Sequence, residues 1–247
     1  MANPIKIQSK VKNIEKFGDG VYKLTLMPSK RLPRFKAGQF LHLTIDSYDP
    51  QGGWWPESRV FSIASHPSDN DITIVYSVKG KYTSKMQEEL TINKEVWLKL
   101  PYGDFSVQSA LVPDQDVILV AGGTGVSPYI PFIKNELSTC QAQKIKLIYG
   151  IRKPDHLIFK DVYENSISNF KNFSIDLFVE QPTASHVIKG SNQFTGIISL
   201  NHILETARSF SNALIFLSGP PKMIQFFKSE LSKNGISEEQ IKIDEWE

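Results

Sequence analysis

Residues 121–128, Ala121-Gly122-Gly123-Thr124-Gly125-Val126-Ser127-Pro128, set three glycines and a threonine between an apolar run and a helix-like pattern. Glycine lacks a Cβ, so the chain can turn tightly there and a ligand can approach the backbone. A helix start aims free N–H groups and the positive end of its dipole at the same point. This combination suits an anion, and a pyrophosphate is the natural guest. A turn that only redirects the chain is the plainer alternative. Other fingerprints fail. Pro128 stands where G-x-G-x-x-G counted from Gly123 needs its third glycine, and no Gly-Lys-Ser/Thr follows as in a Walker loop. Gly125-Val126-Ser127 lacks the second glycine of G-x-S-x-G. His42, His66, His156, His186 and His202 form no close pair, so no metal site is expected. Cys140, the single cysteine, excludes an intrachain disulfide or a cysteine-held cluster within this chain.

Two rhythms would position these residues. Val21–Met27, Phe40–Ile45, Val60–Ala64 and Ile72–Val78 are short runs rich in β-branched and aromatic residues, separated by Gly, Pro, Asp and Asn clusters. They predict an antiparallel barrel or sandwich. Thr83 or Ser84 is a candidate cap for a helix over Lys85–Leu90. From Asp116–Ala121 onward the pattern alternates. Strands are predicted at Asp116–Ala121, Ile145–Tyr149, Ser174–Val179, Ala213–Leu217 and Ile241–Ile243. Helices are predicted at Ser127–Leu137, Asp155–Ser166, Leu200–Ser209 and Lys222–Ser232. That alternation predicts a parallel five-stranded α/β sheet. The boundary is placed in Ser106–Asp114, giving domains at 1–110 and 111–247.

The chain has 247 residues, 40% hydrophobic and 22% charged, which is enough for a sizeable core. A formal charge of +2 is too balanced for an obligate nucleic-acid binder. No apolar run nears the roughly 20 residues of a membrane span, and the first residues show no apolar signal core. A cytoplasmic protein is expected. The charge is uneven: residues 1–110 hold 15 basic and 11 acidic groups. Much of the excess lies in Lys30, Arg31, Arg34 and Lys36 and in Lys79, Lys81 and Lys85. A solvated barrel rim explains it, as does a docking patch for an acidic partner or phosphate.

Five segments, in order, resemble the motifs of the ferredoxin–NADP reductase superfamily. Arg59-Val60-Phe61-Ser62 resembles its R-x-[Y/F]-S flavin motif. Gly80-Lys81-Tyr82-Thr83 resembles its G-x-x-[S/T] flavin-phosphate turn. Pro101-Tyr102-Gly103-Asp104-Phe105 resembles the segment that closes the barrel, with Leu100 in place of its leading glycine. Gly122–Pro128 resembles the G-G-T-G-x-[S/T]-P nicotinamide pyrophosphate loop. Ser218-Gly219-Pro220-Pro221-Lys222-Met223 resembles C-G-P-P-x-M, with Ser218 for the usual cysteine. The resemblance spans nearly the whole chain. It implies an antiparallel Greek-key barrel that holds FAD, followed by an α/β domain that holds NAD(P)H.

Carried onto these residues, the resemblance gives each a role. Arg59 would pair with the flavin phosphate through its planar charged fork, or else form a barrel-end salt bridge. Ser62 would offer its hydroxyl to flavin N5, and Phe61 would stack on the flavin ring. Val60, Val78, Gly80, Tyr82 and Thr83 complete the flavin side, with Thr83 meeting the pyrophosphate or capping the helix. That turn favours FAD over FMN. Gly123, Thr124 and Gly125 would cradle the coenzyme pyrophosphate, with Gly219, Pro220 and Met223 beside it. Ser218 would stand next to the nicotinamide. Asp244 and Trp246 resemble the terminal acid and aromatic of the family, so Trp246 would cover the flavin and move aside for coenzyme. Glu180-Gln181-Pro182 follows the third parallel strand where NADPH-using relatives often carry a Ser-Arg pair. This points to NADH, while Arg152 and Lys153 leave a route to a 2′-phosphate. The activity implied is hydride transfer from NAD(P)H to FAD, then electron transfer to a redox protein such as a ferredoxin, a flavodoxin or an oxygenase component. The alternatives are a small-molecule or free-flavin acceptor, or a redox-sensing regulatory subunit that keeps the fold.

Overall fold

A computed structural model of the chain describes residues 3–112, 115–140, 142–183 and 187–244. The first half contains strands β1 (Ile5–Phe17), β2 (Val21–Pro28), β3 (Phe40–Thr44), β4 (Arg59–Ser62) and β5 (Ile72–Ser77). Helix α1 (Lys81–Glu89) and strand β6 (Glu95–Tyr102) follow. All pairings are antiparallel, in the order β4-β3-β6-β1-β2-β5. The outer strands meet where the Ala64 N–H donates to the Thr73 carbonyl at 2.8 Å, so the sheet curls into a near-closed barrel. Since β6 returns beside β3, the order is a Greek key. Alternate residues point inward: Ile7 and Val11, Leu24 and Leu26, Leu41 and Leu43, Val96, Leu98 and Leu100 fill the core, each almost fully buried.

Two of these strands, β1 and β6, lie outside the runs expected from sequence. Lysines fill the solvent-side positions of β1, and Glu95 and Lys99 do the same on β6. Both strands therefore read as polar, although every second residue is buried from Ile7 to Val11 of β1 and from Val96 to Leu100 of β6. The helix start is also shifted. Gly80 caps α1, and Thr83 lies inside its first turn, its Oγ1 accepting the N–H groups of Lys79 at 2.9 Å and Gly80 at 3.1 Å.

Helix α2 (Val107–Ala110) occupies the connection to the second half. The second half contains β7 (Val117–Gly122), a 3₁₀ segment over Gly123–Tyr129, α3 (Ile130–Asn135), β8 (Ile145–Ile151) and α4 (Lys160–Asn169). It continues with β9 (Phe173–Val179), β10 (Asn192–Thr195), α5 (Leu200–Ser209), β11 (Leu214–Ser218), α6 (Pro221–Lys233) and β12 (Ile241–Ile243). The strands are parallel, in the order β10-β9-β8-β7-β11-β12. The sheet thus has six strands, not five. The additional one, β10, is a short and largely exposed edge strand, so it carries no apolar run to mark it. The single helix expected over Ser127–Leu137 divides into the 3₁₀ segment and α3. The one expected over Asp155–Ser166 begins later, after a 3₁₀ turn at Pro154–His156. Among the described residues no helix is long and apolar enough to cross a membrane.

Both sheet faces are covered, which is why β7 and β11 are buried along nearly their whole length. Phe105, Ala64 and Val107 from the first half pack into the core on one face of this sheet. Near the sheet edge on the other face lies a charged group. Asp176 on β9, 1% exposed, accepts hydrogen bonds from Lys146 Nζ at 2.7 Å, Asn192 Nδ2 at 2.8 Å and His202 Nε2 at 2.8 Å. Burial alone would push its carboxyl up. The three bonds and the Lys146 charge outweigh that and hold it below the usual carboxylate value.

Asp176→Ala should cost about 3–5 kcal/mol at neutral pH, because it strands a part-buried lysine. The folded carboxyl titrates below the 3.8 of a free aspartate. Its contribution is therefore complete above that value and drains away as pH falls through the folded value. Denaturant titration of wild type and variant between about pH 6 and pH 2.5 measures this. A stability gap that fails to narrow in acid contradicts the assignment.

Candidate functional site

β7 is the first strand of the parallel sheet. The chain adds β8, β9 and β10 on one side of it, then β11 and β12 on the other. The direction reverses between β7 and β11, and in such sheets ligands bind in the crevice at the carboxyl ends of the strands beside that point. The loop after β7 is Gly123–Gly125, and the loop after β11 begins at Ser218-Gly219. They touch. A Cβ on Gly125 would lie 2.5 Å from the Gly219 Cα and 2.6 Å from the Ser218 carbonyl oxygen. Only a residue without a side chain permits this approach. Met223, from the first turn of α6, closes over Gly122, whose Cβ would meet its Sδ at 2.7 Å.

Gly123 differs from its neighbours. It is exposed, has φ of +56°, and has nothing within 4 Å of where its Cβ would be. Its backbone therefore faces open space at the start of the 3₁₀ segment, where N–H groups lack partners within the helix. Thr124 lies beside it, its carbonyl accepting the Ser127 hydroxyl at 2.7 Å. These features fit a pyrophosphate between the loops.

Ser218 and Asp244 come together. The Ser218 hydroxyl donates to Asp244 Oδ2 at 2.9 Å; Ser218 is 1% and Asp244 7% exposed. The Asp244 N–H donates to the Leu217 carbonyl at 3.0 Å, continuing the β11–β12 pairing. Tyr129 is a residue that the sequence reading missed. It is fully buried, donates to the Val120 carbonyl at 3.2 Å, and feels the Asp244 charge. Burial first, and that charge second, keep its phenol protonated. The signal was its place one residue past the glycine loop. Gly219 and Pro220 lead into α6, placed by the loop contact. Trp246 lies outside the described residues.

On the barrel, Ser62 ends β4 at 2% exposure, and its Oγ has no hydrogen-bond partner among the described residues. A buried hydroxyl without a partner costs about 1–3 kcal/mol, and a ligand acceptor or donor there would remove that cost. Gly80 is exposed, with nothing within 4 Å of its Cβ position, and it opens α1. Val78 is half-buried, its N–H donating to the Gly20 carbonyl. Tyr82 is buried: its hydroxyl accepts the Ile45 N–H at 3.1 Å and lies 3.1 Å from the Glu57 carbonyl. These features fit a flavin at this end of the barrel.

Arg59 lies at the barrel surface. Its side chain is 43% exposed, bonded to Glu57 at 2.6 Å and to the Ser58 carbonyl at 2.8 Å, and its guanidinium lies 4.5 Å above the Tyr82 ring. Phe61 is 5% exposed. Strand alternation puts it on the same face as Arg59 but two residues deeper. There it packs in the barrel core 6.2 Å from Tyr76. Val60, between them, is half-buried and pairs in register with His42. Arg152, at the end of β8, is exposed, while the adjacent Lys153 lies 3.9 Å from Asp19 of the barrel.

Residues 119–229 match the family model described as the oxidoreductase NAD-binding domain. The phenol hydroxylase P5 protein of Acinetobacter pittii is 28% identical over 214 residues, covering 84% of this chain and 56% of that protein. The reductase component of propane 2-monooxygenase from Rhodococcus jostii is 22% identical over 97% of this chain and 63% of its own. This chain thus spans less than two thirds of the length of either relative. The Amycolatopsis cytochrome P450 reductase has the same fold, with a TM-score of 0.81 at 18% identity over 98% of this chain and 70% of that one. With its near-closed antiparallel barrel, its parallel sheet and the NAD-binding match, the chain is similar to the ferredoxin–NADP reductase-like superfamily, whose fold joins an antiparallel barrel to an NAD-binding domain.

Proposed function

We propose that this chain takes hydride from NADH onto FAD and passes the electrons to a redox protein. The observation that carries the reading is the buried Ser62 hydroxyl without a partner at the barrel end. When bound, FAD supplies at N5 a hydride acceptor and a store for two electrons. The protein binds, aligns and shields. Ser62 Oγ donates or accepts a hydrogen bond at the ring. Arg59 swings from Glu57 to the flavin phosphates, joined by the N–H groups that open α1 at Gly80. The Thr83 hydroxyl stiffens that turn. Gly123 admits the coenzyme pyrophosphate, and Ser218, held by Asp244, borders the nicotinamide. We divide the chain functionally at residue 110, with Phe105 and Val107 packed forward onto the second core.

The preference for NADH rests on the end of β9, where Glu180 and Gln181 bond through their N–H groups to the Ile151 and Arg152 carbonyls. A carboxylate there suits a ribose hydroxyl and repels a 2′-phosphate. A protein acceptor is supported by the propane 2-monooxygenase relative, which is a reductase component.

Mixing the yellow protein with NADH or NADPH and timing flavin bleaching tests the reading directly. NADH should bleach faster. Equal rates remove the coenzyme preference, and no bleaching with either removes the function. Arg59→Ala should weaken FAD retention about tenfold, the order of one charge-assisted bond, whereas Glu57→Gln should leave it unchanged. The ratio of flavin to protein absorbance after dialysis reads both.

The glycines should separate by role. Gly123→Asn tolerates the positive φ and should raise KM for NADH while leaving melting temperature and flavin spectrum near wild type. Gly125→Ala drives a methyl into the Gly219 backbone and should lower the melting temperature by several degrees. If Gly123→Asn lowers the melting temperature as much and leaves KM alone, the loop does not hold the coenzyme.

A further inference from the structure

The turn between β1 and β2, Gly18-Asp19-Gly20, reaches across to the parallel-sheet half. It meets the 3₁₀ turn Pro154–His156 that follows β8. A Cβ on Gly18 would lie 2.6 Å from His156 Cδ2 and 2.7 Å from its Nε2, and Gly18 has φ of +51°. The imidazole, its side chain 13% exposed, is thus wedged against a backbone that has no side chain to push it away. Two more contacts flank the wedge. Lys153 Nζ lies 3.9 Å from Asp19 Oδ2. Lys23 Nζ, on β2, lies 5.7 Å from the centre of the Phe17 ring and 5.4 Å from that of Phe159, so one cation bridges an aromatic of each half.

Both sides of this contact are anchored. On the barrel, the Gly20 carbonyl accepts the Val78 N–H at 2.8 Å, and Val21 pairs with Ser77. Val78 stands two residues before Gly80, which opens α1 where the flavin phosphates are placed above. On the sheet, His156 and Leu157 donate their N–H groups to the Lys153 and Pro154 carbonyls, at 3.0 and 3.1 Å. Leu157, 6% exposed, roots the turn in the core. From Arg152 to His156 is four residues, at most about 14 Å of chain. The Ile151 and Arg152 carbonyls in turn hold Glu180 and Gln181, and Glu180 is the residue assigned above to the coenzyme ribose. The path from flavin turn to coenzyme loop is therefore a short run of bonded backbone interrupted by one contact, Gly18 on His156.

We propose that the β1–β2 turn and His156 form a strut that sets the angle between the two halves, and that His156 is a positioning residue for hydride transfer. The proposal rests on the reading above that FAD sits on the barrel and NADH on the sheet. The hydride, with its two electrons, leaves nicotinamide C4 for flavin N5, so the two rings arrive from different halves of the chain. Their spacing is only as good as the joint between those halves, and a misplacement of about 1 Å costs on the order of 100-fold in rate. The packing of Phe105 on Phe216 and Tyr129 holds the halves together at one place. Apolar attraction is non-directional, so a second contact, from a different barrel element, fixes the angle. The ion pair of Lys153 with Asp19 is too exposed for that task, the Asp19 side chain being 91% exposed. The His156 ring does it by shape: its Nδ1 is buried with no hydrogen-bond partner among the described residues.

The test uses the flavin-loaded protein with NADH and with redox-inert tetrahydro-NADH. Gly18→Asn keeps the positive φ and sets a Cβ on the His156 ring. The bleaching rate at saturating NADH should fall about 10- to 100-fold. Calorimetric affinity for tetrahydro-NADH and the flavin-to-protein ratio should stay within about twofold of wild type. The flavin absorbance change caused by tetrahydro-NADH, which reports ring on ring, should shrink. His156→Ala should act the same way, and His156→Phe, which keeps the wedge, should restore the rate. A bleaching rate equal to wild type in His156→Ala overturns the proposal, whether or not Gly18→Asn folds. So does an affinity loss as large as the rate loss, because the turn then binds coenzyme instead of aligning it. Failure of His156→Phe to restore the rate assigns the role to the ring nitrogens and overturns the wedge. If neither NADH nor NADPH bleaches the wild type, the function proposed above fails and the strut falls with it.

Discussion

Two loops leave the neighbouring strands β7 and β11 where the chain reverses the direction in which it builds the sheet, and they meet backbone to backbone at Gly125 and Gly219. A methyl group on Gly125 would force them apart, and the consequences would spread. The contact brings the first turn of α6 over Gly122 through Met223. It leaves Gly123 exposed at positive φ, with open space where a side chain would stand. It fixes Ser218 at the end of β11, beside β12, whose last bond delivers the Asp244 carboxylate to the Ser218 hydroxyl. Each placement follows from the sheet order combined with one missing side chain.

The barrel is tied to this arrangement mainly by apolar packing. Phe105 meets Phe216 of β11 edge-on at 5.5 Å and tilts against Tyr129 at 5.9 Å. Ala64, just past Ser62, lies in the same core. The exits of β4 and β6 are thus both pinned to the parallel sheet. Polar contacts at the rim, His66 with Glu136 at 3.7 Å and Lys134 with Asp69 at 3.4 Å, add little energy but fix orientation. The Glu136 carboxyl is pushed up by burial, with His66 pulling it back down, and one of its oxygens stays without a partner. The joint therefore depends on the aromatic contacts and not on the ion pairs.

Much of this was legible in the residues, for identifiable reasons. Apolar continuity announced β7, β8, β9 and β11, because strands buried on both faces are apolar but for isolated positions such as Lys146 and Asp176. Motif order singled out Ser62, Ser218 and Asp244, and the fold buries all three. What was lost was lost to averaging over faces. The lysines of β1 hid Ile7 and Val11, and the exposed residues of β10 hid its pairing with β9. Phe61 illustrates a different limit. A motif gives spacing, but strand alternation sets depth, and two residues beyond Arg59 the chain is already inside the barrel. The glycine run is a third case. Its members look alike in sequence, yet Gly125 exists for loop packing and Gly123 for access, a distinction made only by the backbone across from them.

The two serines at the site differ in one respect that bears on how its guests are held. Ser218 is already satisfied, its hydroxyl bound to a buried carboxylate. Ser62 is as deeply buried and has no partner among the described residues. An unmet buried hydroxyl costs the folded chain about 1–3 kcal/mol, and that cost is removed for as long as a ligand meets it. Such a penalty suits a resident group, because every departure restores it. A satisfied hydroxyl carries no such penalty and leaves the coenzyme side indifferent to arrival and release. On the proposed function, the accounting of buried polar groups agrees with a cofactor that stays at the barrel end and a coenzyme that exchanges at the Ser218 end at each turnover.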